Sequence, residues 1–284
     1  MINLFVFIFY FFFILISVLG FGYFLKYYFK IDLENNCYGL IGLFGILFIL
    51  IYSYATNLFF AHSKIHNFIF LFIGFIFFFY YNFFISKIDK KELYLSLAIF
   101  FTLLIGIFIF KAHDDFIYYH FPYAYYLTEQ KLMIGIGQLL QGYRTPSSLF
   151  YFNSLLNLPF VDYYLFNFFP IYVLGFANII LLKKILVKKS EFKSNQSYIY
   201  YLSLIIFIFI NIFFYRIAEH GTDRSAQILI FVLVVEILDQ ISKKNINFKF
   251  IYKIYFLLSI IISLKAFYFL YLVFLIPLLA KEFN

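Results

Sequence analysis

Tryptophan is absent from this 284-residue chain, cysteine occurs once, and charged side chains make up only 13% of it. Each shortage excludes something. The single thiol, Cys37, rules out an intrachain disulfide and any cysteine-built metal cluster. The scarcity of charge rules out a soluble domain of this length, which needs far more polar surface. No Gly/Ser-rich linker and no clear internal repeat divides the chain, so one membrane domain, residues 1–284, is the simplest organisation. The formal charge is +8, yet the lysines fall in short connections rather than along one stripe. The usage of Phe, Ile, Tyr, Asn and Lys is also what an AT-rich genome favours. Nucleic acid is therefore not an expected partner.

What is present is apolar. Hydrophobic residues form 65% of the chain, with 48 Phe and 28 Tyr, and the mean hydropathy is +0.92. Apolar runs of roughly 18 residues or more, enough to cross a hydrocarbon layer about 30 Å thick, recur along it. They predict an all-α fold, a polytopic transmembrane helical bundle of about eight spans. The spans fall near 3–25, 38–59, 67–86, 93–111, 163–183, 198–215, 225–242 and 252–279. The first run lacks a basic flank and exceeds a usual signal-peptide core, so it reads as a span.

Orientation follows from the lysines of short loops. Lys183, Lys184, Lys188, Lys189 and Lys193 mark one cytoplasmic connection, and Lys243, Lys244, Lys249 and Lys253 mark another; Lys87, Lys90 and Lys91 agree by alternation. The chain then divides into an N-terminal four-span region (1–111), an outward loop (112–162) and a C-terminal four-span region (163–284). The expected location is the bacterial inner membrane, with 112–162 and the N-terminus facing the periplasm or exterior. An apolar run leads directly into Lys281-Glu282-Phe283-Asn284, so the last region is expected to be incomplete.

The outward loop is rich in Tyr, Phe and Leu. Phe116 to Leu127 predicts an amphipathic helix in the membrane interface, where tyrosine rings prefer to sit. Gly135, Gly137 and Gly142 break the chain. Thr145-Pro146-Ser147-Ser148 predicts a helix start, with Thr145 as N-cap and Pro146 in the first turn.

The chemistry-bearing residues are few. Asp114 and Asp115, flanked by His113 and His120, lie within eight residues of one another immediately after an apolar run. A carboxylate there can serve as a general base, as a ligand for a hard divalent cation, or as a helix cap at the water boundary. Arg216, Glu219, His220, Asp223 and Arg224 form a second polar cluster on the same side, as a second site wall or as a salt-bridged turn. Arg144 precedes a helix start, the arrangement of a phosphate cradle or of a solvated loop arginine. Lys265 falls near the middle of the last expected span, where an ammonium needs a cavity or a partner. Glu236 and Asp239 are placed to snorkel or to pair with loop lysines.

This pattern resembles the membrane-embedded C-type glycosyltransferases, which take sugars from polyprenyl-phosphate donors. The residues carrying the resemblance are His113-Asp114-Asp115 and Tyr118-Tyr119-His120-Phe121-Pro122. Gly142 to Ser148 and Glu219 to Asp223 look like features of bacterial members. The resemblance implies an inverting transfer to a surface glycan or lipid acceptor. Asp115, or else Asp114, would be the catalytic base, and these two are the candidate ligands for an Mg²⁺ or Mn²⁺ ion, the one cofactor it raises. His113, His120, Arg144, Glu219, His220, Asp223, Arg224 and Lys265 would contact substrate, with the bilayer and the polyprenyl-phosphate-linked sugar donor as partners. Four spans precede the acidic loop here, three more than in family members, which usually carry it after the first helix and continue for several further helices. Two other readings remain: a transporter or flippase centred on Lys265 and Glu236, and a non-catalytic membrane fragment.

Overall fold

A computed structural model describes residues 3–31, 37–85, 89–108, 115–144, 146–190, 197–214, 222–242 and 248–276. Among them the chain is all-helical, and an isolated bridge between Leu158 and Asp162 is the only β-type pairing. The α-helices are α1 (Leu4–Tyr28), α2 (Tyr38–Asn57), α3 (Lys64–Tyr80), α4 (Lys90–Ile107), α5 (Phe121–Glu129), α6 (Ser148–Ser154), α7 (Phe168–Ser190), α8 (Ser197–Phe213), α9 (Thr222–Ser242) and α10 (Phe248–Leu264). Side-chain oxygens start several of them: Asn3 caps α1, Ser63 α3, Asp89 α4 and Ser147 α6, each accepting from a free backbone N–H of the first turn.

Among the described residues, five helical stretches are long and apolar enough to cross a membrane: Leu4–Tyr28, Tyr38–Asn57, Lys64–Ile85, Tyr163–Val187 and Thr222–Ser242. Of the other three expected spans, α8 and α10 are apolar but shorter, and α4 opens on Lys90, Lys91 and Glu92. The expected span 252–279 is interrupted. Helix α10 stops at Leu264, Lys265 is extended (φ −158°, ψ 124°), and a 3₁₀ segment, Ala266–Phe274, follows. Lys265 therefore sits at a helix break, not inside a continuous helix.

Helix α1 is wedged between α2 and α3 by glycines. A Cβ on Gly20 would come within 1.8 Å of the Gly74 carbonyl oxygen, one on Gly22 within 1.8 Å of that of Ile41, and one on Gly45 within 1.8 Å of that of Val18. These backbones touch directly, the means by which helices associate where lipid offers no hydrophobic drive. Helix α7 is the hub, packed against α2, α4, α8 and α9. Phe11, Phe100, Phe168, Tyr172 and Phe176 fill the space around it, and the Tyr172 hydroxyl donates to the Phe11 carbonyl (2.9 Å).

The two ends of the bundle differ in kind. At the lysine-rich end, Lys183 binds Glu92 (2.7 Å), whose other oxygen accepts from the Tyr38 N–H at the start of α2 (2.7 Å). Beside them Lys184 reaches Glu236 (3.3 Å) and Asp239, and Lys253 also pairs with Glu236. Glu236, Asp239 and Lys253 are all buried, so this ionic cluster ties α7, α9 and α10 together away from solvent. The expected pairing of Glu236 and Asp239 with lysines is thus met by residues of neighbouring helices.

Candidate functional site at the opposite end

The opposite end gathers the α2–α3 turn, the segment 115–165, the start of α9 and the end of α10. A buried polar staple fixes the segment to the first hairpin. The two ring nitrogens of His62 meet Ser154 Oγ (2.7 Å) and Thr56 Oγ1 (3.0 Å), and its backbone N–H donates to the Leu127 carbonyl (3.0 Å). The Asn67 amide donates to the carbonyls of Ser154 (2.9 Å) and Asn157 (3.0 Å), while the Asn57 amide donates to that of Leu127 (3.0 Å). Burial, with nearby His66 adding to it, lowers the His62 pKa to about 3. His62 is therefore a neutral structural strut at ordinary pH.

The interfacial helix expected over 116–127 forms in two pieces. Phe116–His120 is a π-helical turn, and α5 carries on from Phe121. Pro122 has no N–H to return to the preceding turn, and Phe121 N–H bonds back five residues to the Phe116 carbonyl, so the ladder slips by one. The turn places the Tyr119 hydroxyl over Asp115, donating to Oδ2 at 3.4 Å. Burial is the main cause of a Tyr119 pKa pushed up to about 12, followed by the Asp115 carboxylate and then by Asp223. Two carboxylates separated by more than a hundred residues in sequence therefore act on one phenol.

Asp223, in the first turn of α9, accepts from Lys265 Nζ (2.8 Å) and from the Tyr268 hydroxyl (3.3 Å). Both members of the Asp223–Lys265 pair are close to half exposed. Ser148 Oγ meets Ser263 Oγ (2.9 Å), joining the start of α6 to the last turn of α10 just before that lysine. The 3₁₀ turn Gln141–Tyr143 lies on Tyr119: a Cβ on Gly142 would stand 2.6 Å from Tyr119 Cγ. Arg144 follows directly, exposed, with its Nε donating to the Gly137 carbonyl (3.3 Å). Thr145, the expected cap, lies outside the described residues; at the start of α6 the Ser147 side chain accepts from the Leu149 N–H (3.3 Å).

Asp115 thus bonds Tyr119 directly, Asp223 bears on it electrostatically while holding Lys265, and Arg144 follows the turn that packs on its ring. Arg224, half-buried, stands beside Asp223. His120 is buried, its ring packed on Tyr119 (4.3 Å between centroids) and Phe150 (5.1 Å), an aromatic setting rather than an open one. His113, Asp114, Glu219 and His220 lie outside the described residues, as does Arg216. Among the described residues no three His, Cys, Asp or Glu side chains are grouped to hold a cation. The residues missed by the sequence reading as site members are Tyr119, Tyr268, Ser148, Ser263 and the His62–Asn67 staple. Tyr119 stands four residues after Asp115 and His66 four after His62, a helical spacing that was available to be read.

A groove of about 540 Å³ opens between the start of α1, the end of α4 and the segment that carries Phe116 and Phe121. Phe7, Ile107, Phe108, Phe116, Phe121 and Tyr164 line it, together with Leu4, Tyr163 and Asn167. Its wall is aromatic and aliphatic, and Phe116 in that wall directly follows Asp115 in the chain.

No curated protein and no solved structure matches this chain. A family profile described as a domain of unknown function, DUF8201, matches residues 4–284, and the chain belongs to that family.

Proposed function

We propose that this protein is an integral membrane glycosyltransferase of the C-type kind, moving a sugar from a polyprenyl-phosphate donor to a surface glycan or lipid acceptor. In this reading α4, α8 and α10 join the five long apolar helices as spans, making about eight. The lysine-rich end faces the cytoplasm of a bacterial inner membrane, and the Asp115 end faces outward. The observation that carries the proposal is Asp115 bonded to the Tyr119 hydroxyl, with Asp223 and its partner Lys265 bearing on the same phenol, and an apolar groove walled by Phe116, the residue after Asp115. Charged groups from distant segments are assembled there next to a surface suited to an isoprenoid chain.

The chemistry follows from those groups. The donor lipid lies along the Phe7–Phe121 groove with its phosphate at the interface. Asp115 takes the proton from an acceptor hydroxyl as that oxygen attacks the anomeric carbon. The bond from the anomeric carbon to the phosphate oxygen breaks with its electron pair, and the configuration inverts. Arg144, Arg224 and Lys265 supply positive charge for the departing lipid phosphate. Asp223 holds Lys265 in place, and Tyr119 orients the base through its hydroxyl. No step is assigned to a metal ion.

The test is transfer itself. Membranes bearing Asp115→Asn should insert and fold normally yet transfer no labelled sugar from a polyprenyl-phosphate donor, and surface glycan from such cells should lack one specific sugar. Undiminished transfer by this variant removes Asp115 from the mechanism. An unchanged glycan profile in a full deletion strain, with altered lipid or solute movement instead, favours the transporter reading.

A further inference from the structure

At the lysine-rich end the structure holds a second cavity, well separated from the Asp115 end. It measures about 480 Å³ and is lined by Tyr23, Lys26, Tyr27, Lys30, Tyr81 and Ile85, with Tyr28 and Ile31 completing it. Two ammonium groups in so sparsely charged a chain mark it out. The rings are ordered rather than scattered: Tyr81 stacks on Tyr23 (6.3 Å between centroids) and packs on Tyr27 (5.4 Å). Tyr81 opens the π-helical turn Tyr81–Ile85 that ends the α3 span, a backbone irregularity of the kind found at binding sites.

The geometry of Lys30 is the more telling observation. Helix α1 ends in a Schellman turn: the Ile31 N–H bonds the Lys26 carbonyl (3.0 Å) and the Lys30 N–H bonds that of Tyr27 (3.2 Å). The residue at the centre of this turn must be left-handed, and Lys30 is, at φ 49°. Glycine takes that conformation without strain, whereas a lysine is strained there. The turn keeps a strained residue whose side chain enters the cavity. The same turn satisfies the Lys26 and Tyr27 carbonyls, two of the four that the end of α1 would otherwise leave open.

We infer that this cavity binds the phosphate of an anionic membrane lipid, with Lys26 and Lys30 on the phosphate and the Tyr23–Tyr81–Tyr27 rings and Ile85 against the glycerol and upper acyl region. A basic pocket between spanning helices, walled by tyrosines at the depth of the headgroups, fits this ligand class. Exposed Phe83 and Phe84 in the same π-helical turn, with exposed Tyr80 as the last residue of α3, add apolar surface beside the pocket. The inference rests on the reading that α1 and α3 span a bilayer, and it does not depend on any transfer reaction.

The experiment uses the full chain in nanodiscs of phosphatidylcholine containing increasing phosphatidylglycerol, with retained lipid counted by native mass spectrometry. Wild-type protein should keep phosphatidylglycerol through detergent extraction. Lys30→Gly and Lys26→Gln should each bind it about fivefold more weakly. Lys30→Gly relieves the backbone, so its Tm in pure phosphatidylcholine should equal or exceed that of the wild type. Unchanged lipid retention by Lys30→Gly overturns the proposal. So does equal occupancy by inorganic phosphate in pure phosphatidylcholine discs, which would make this a free-anion site. Transfer is not measured, so loss of the enzymatic reading leaves this outcome standing.

Discussion

The two ends of the bundle use charge in opposite ways. At the lysine-rich end, Glu236, Asp239, Lys184 and Lys253 are sealed between helices, positive and negative groups in equal number. At the other end, Asp223 and Lys265 are each nearly half exposed, and Asp115 is only partly buried. A sealed pair contributes integrity, because removing one partner strands a charge in a low-dielectric interior. A half-exposed pair holds the fold only weakly and is free to exchange partners when a charged ligand arrives. The difference teaches where to look for chemistry in a chain this poor in charge: toward the exposed pair, away from the stronger one.

Four substitutions or conditions probe that contrast. The largest effect is expected from Asp115→Asn, which should lower transfer by about 10²–10⁴-fold, the usual worth of a general base, with Tm unchanged. Glu236→Gln should do the reverse, costing about 3–5 kcal/mol of stability by thermal denaturation in detergent while transfer per folded molecule stays intact. A loss of transfer without loss of stability in Glu236→Gln would erase the distinction between the ends. Third comes pH. The His62 pKa lies near 3 in the folded chain, against about 6.5 when unfolded. The unfolded chain therefore takes up a proton first as pH falls, so stability is fully present above pH about 6.5 and is lost progressively toward pH 3. Between pH 7 and pH 5 the loss should be about 2 kcal/mol, and His62→Asn should flatten that slope; an equally steep profile in the variant would remove the staple from the account. The smallest effect is Lys265→Ala, which should cost less than about 1 kcal/mol of stability. Its transfer rate should nonetheless fall, and Lys265→Arg should restore it in part.

Much of the framework was legible from hydrophobic run length alone. The α1, α2, α3, α7 and α9 spans coincide with predominantly apolar stretches, since a helix buries its own backbone polar groups and only length and side-chain type then matter. The break at Lys265 was hidden for the same reason: apolar residues lie on both sides of it, and hydropathy does not register backbone direction. The helix start in Thr145-Pro146-Ser147-Ser148 offered several hydroxyl caps within four residues, and only the bond to the Leu149 N–H selected Ser147. Asp115 stood out by composition, but its neighbours could not. Asp223 meets Lys265 across 42 residues and bears on Tyr119 from another segment altogether, pairings set by helix packing rather than by any local spacing. The buried staple of His62, Ser154 and Asn67 is of the same origin.

The glycine contacts of α1 carry a consequence for how the protein is made. Gly20, Gly22, Gly45 and Gly74 bring the first three helices together using only the first third of the chain. Contacts so near in sequence close quickly, and a chain synthesised from its N-terminus has these helices before any others. The trio can therefore be docked while α4 onward is still on the ribosome, offering α7 a finished surface to pack against. A bulky residue at Gly20 or Gly45 would thus act early, as a defect of biogenesis rather than of the mature fold, and would be seen as rapid turnover of nascent protein.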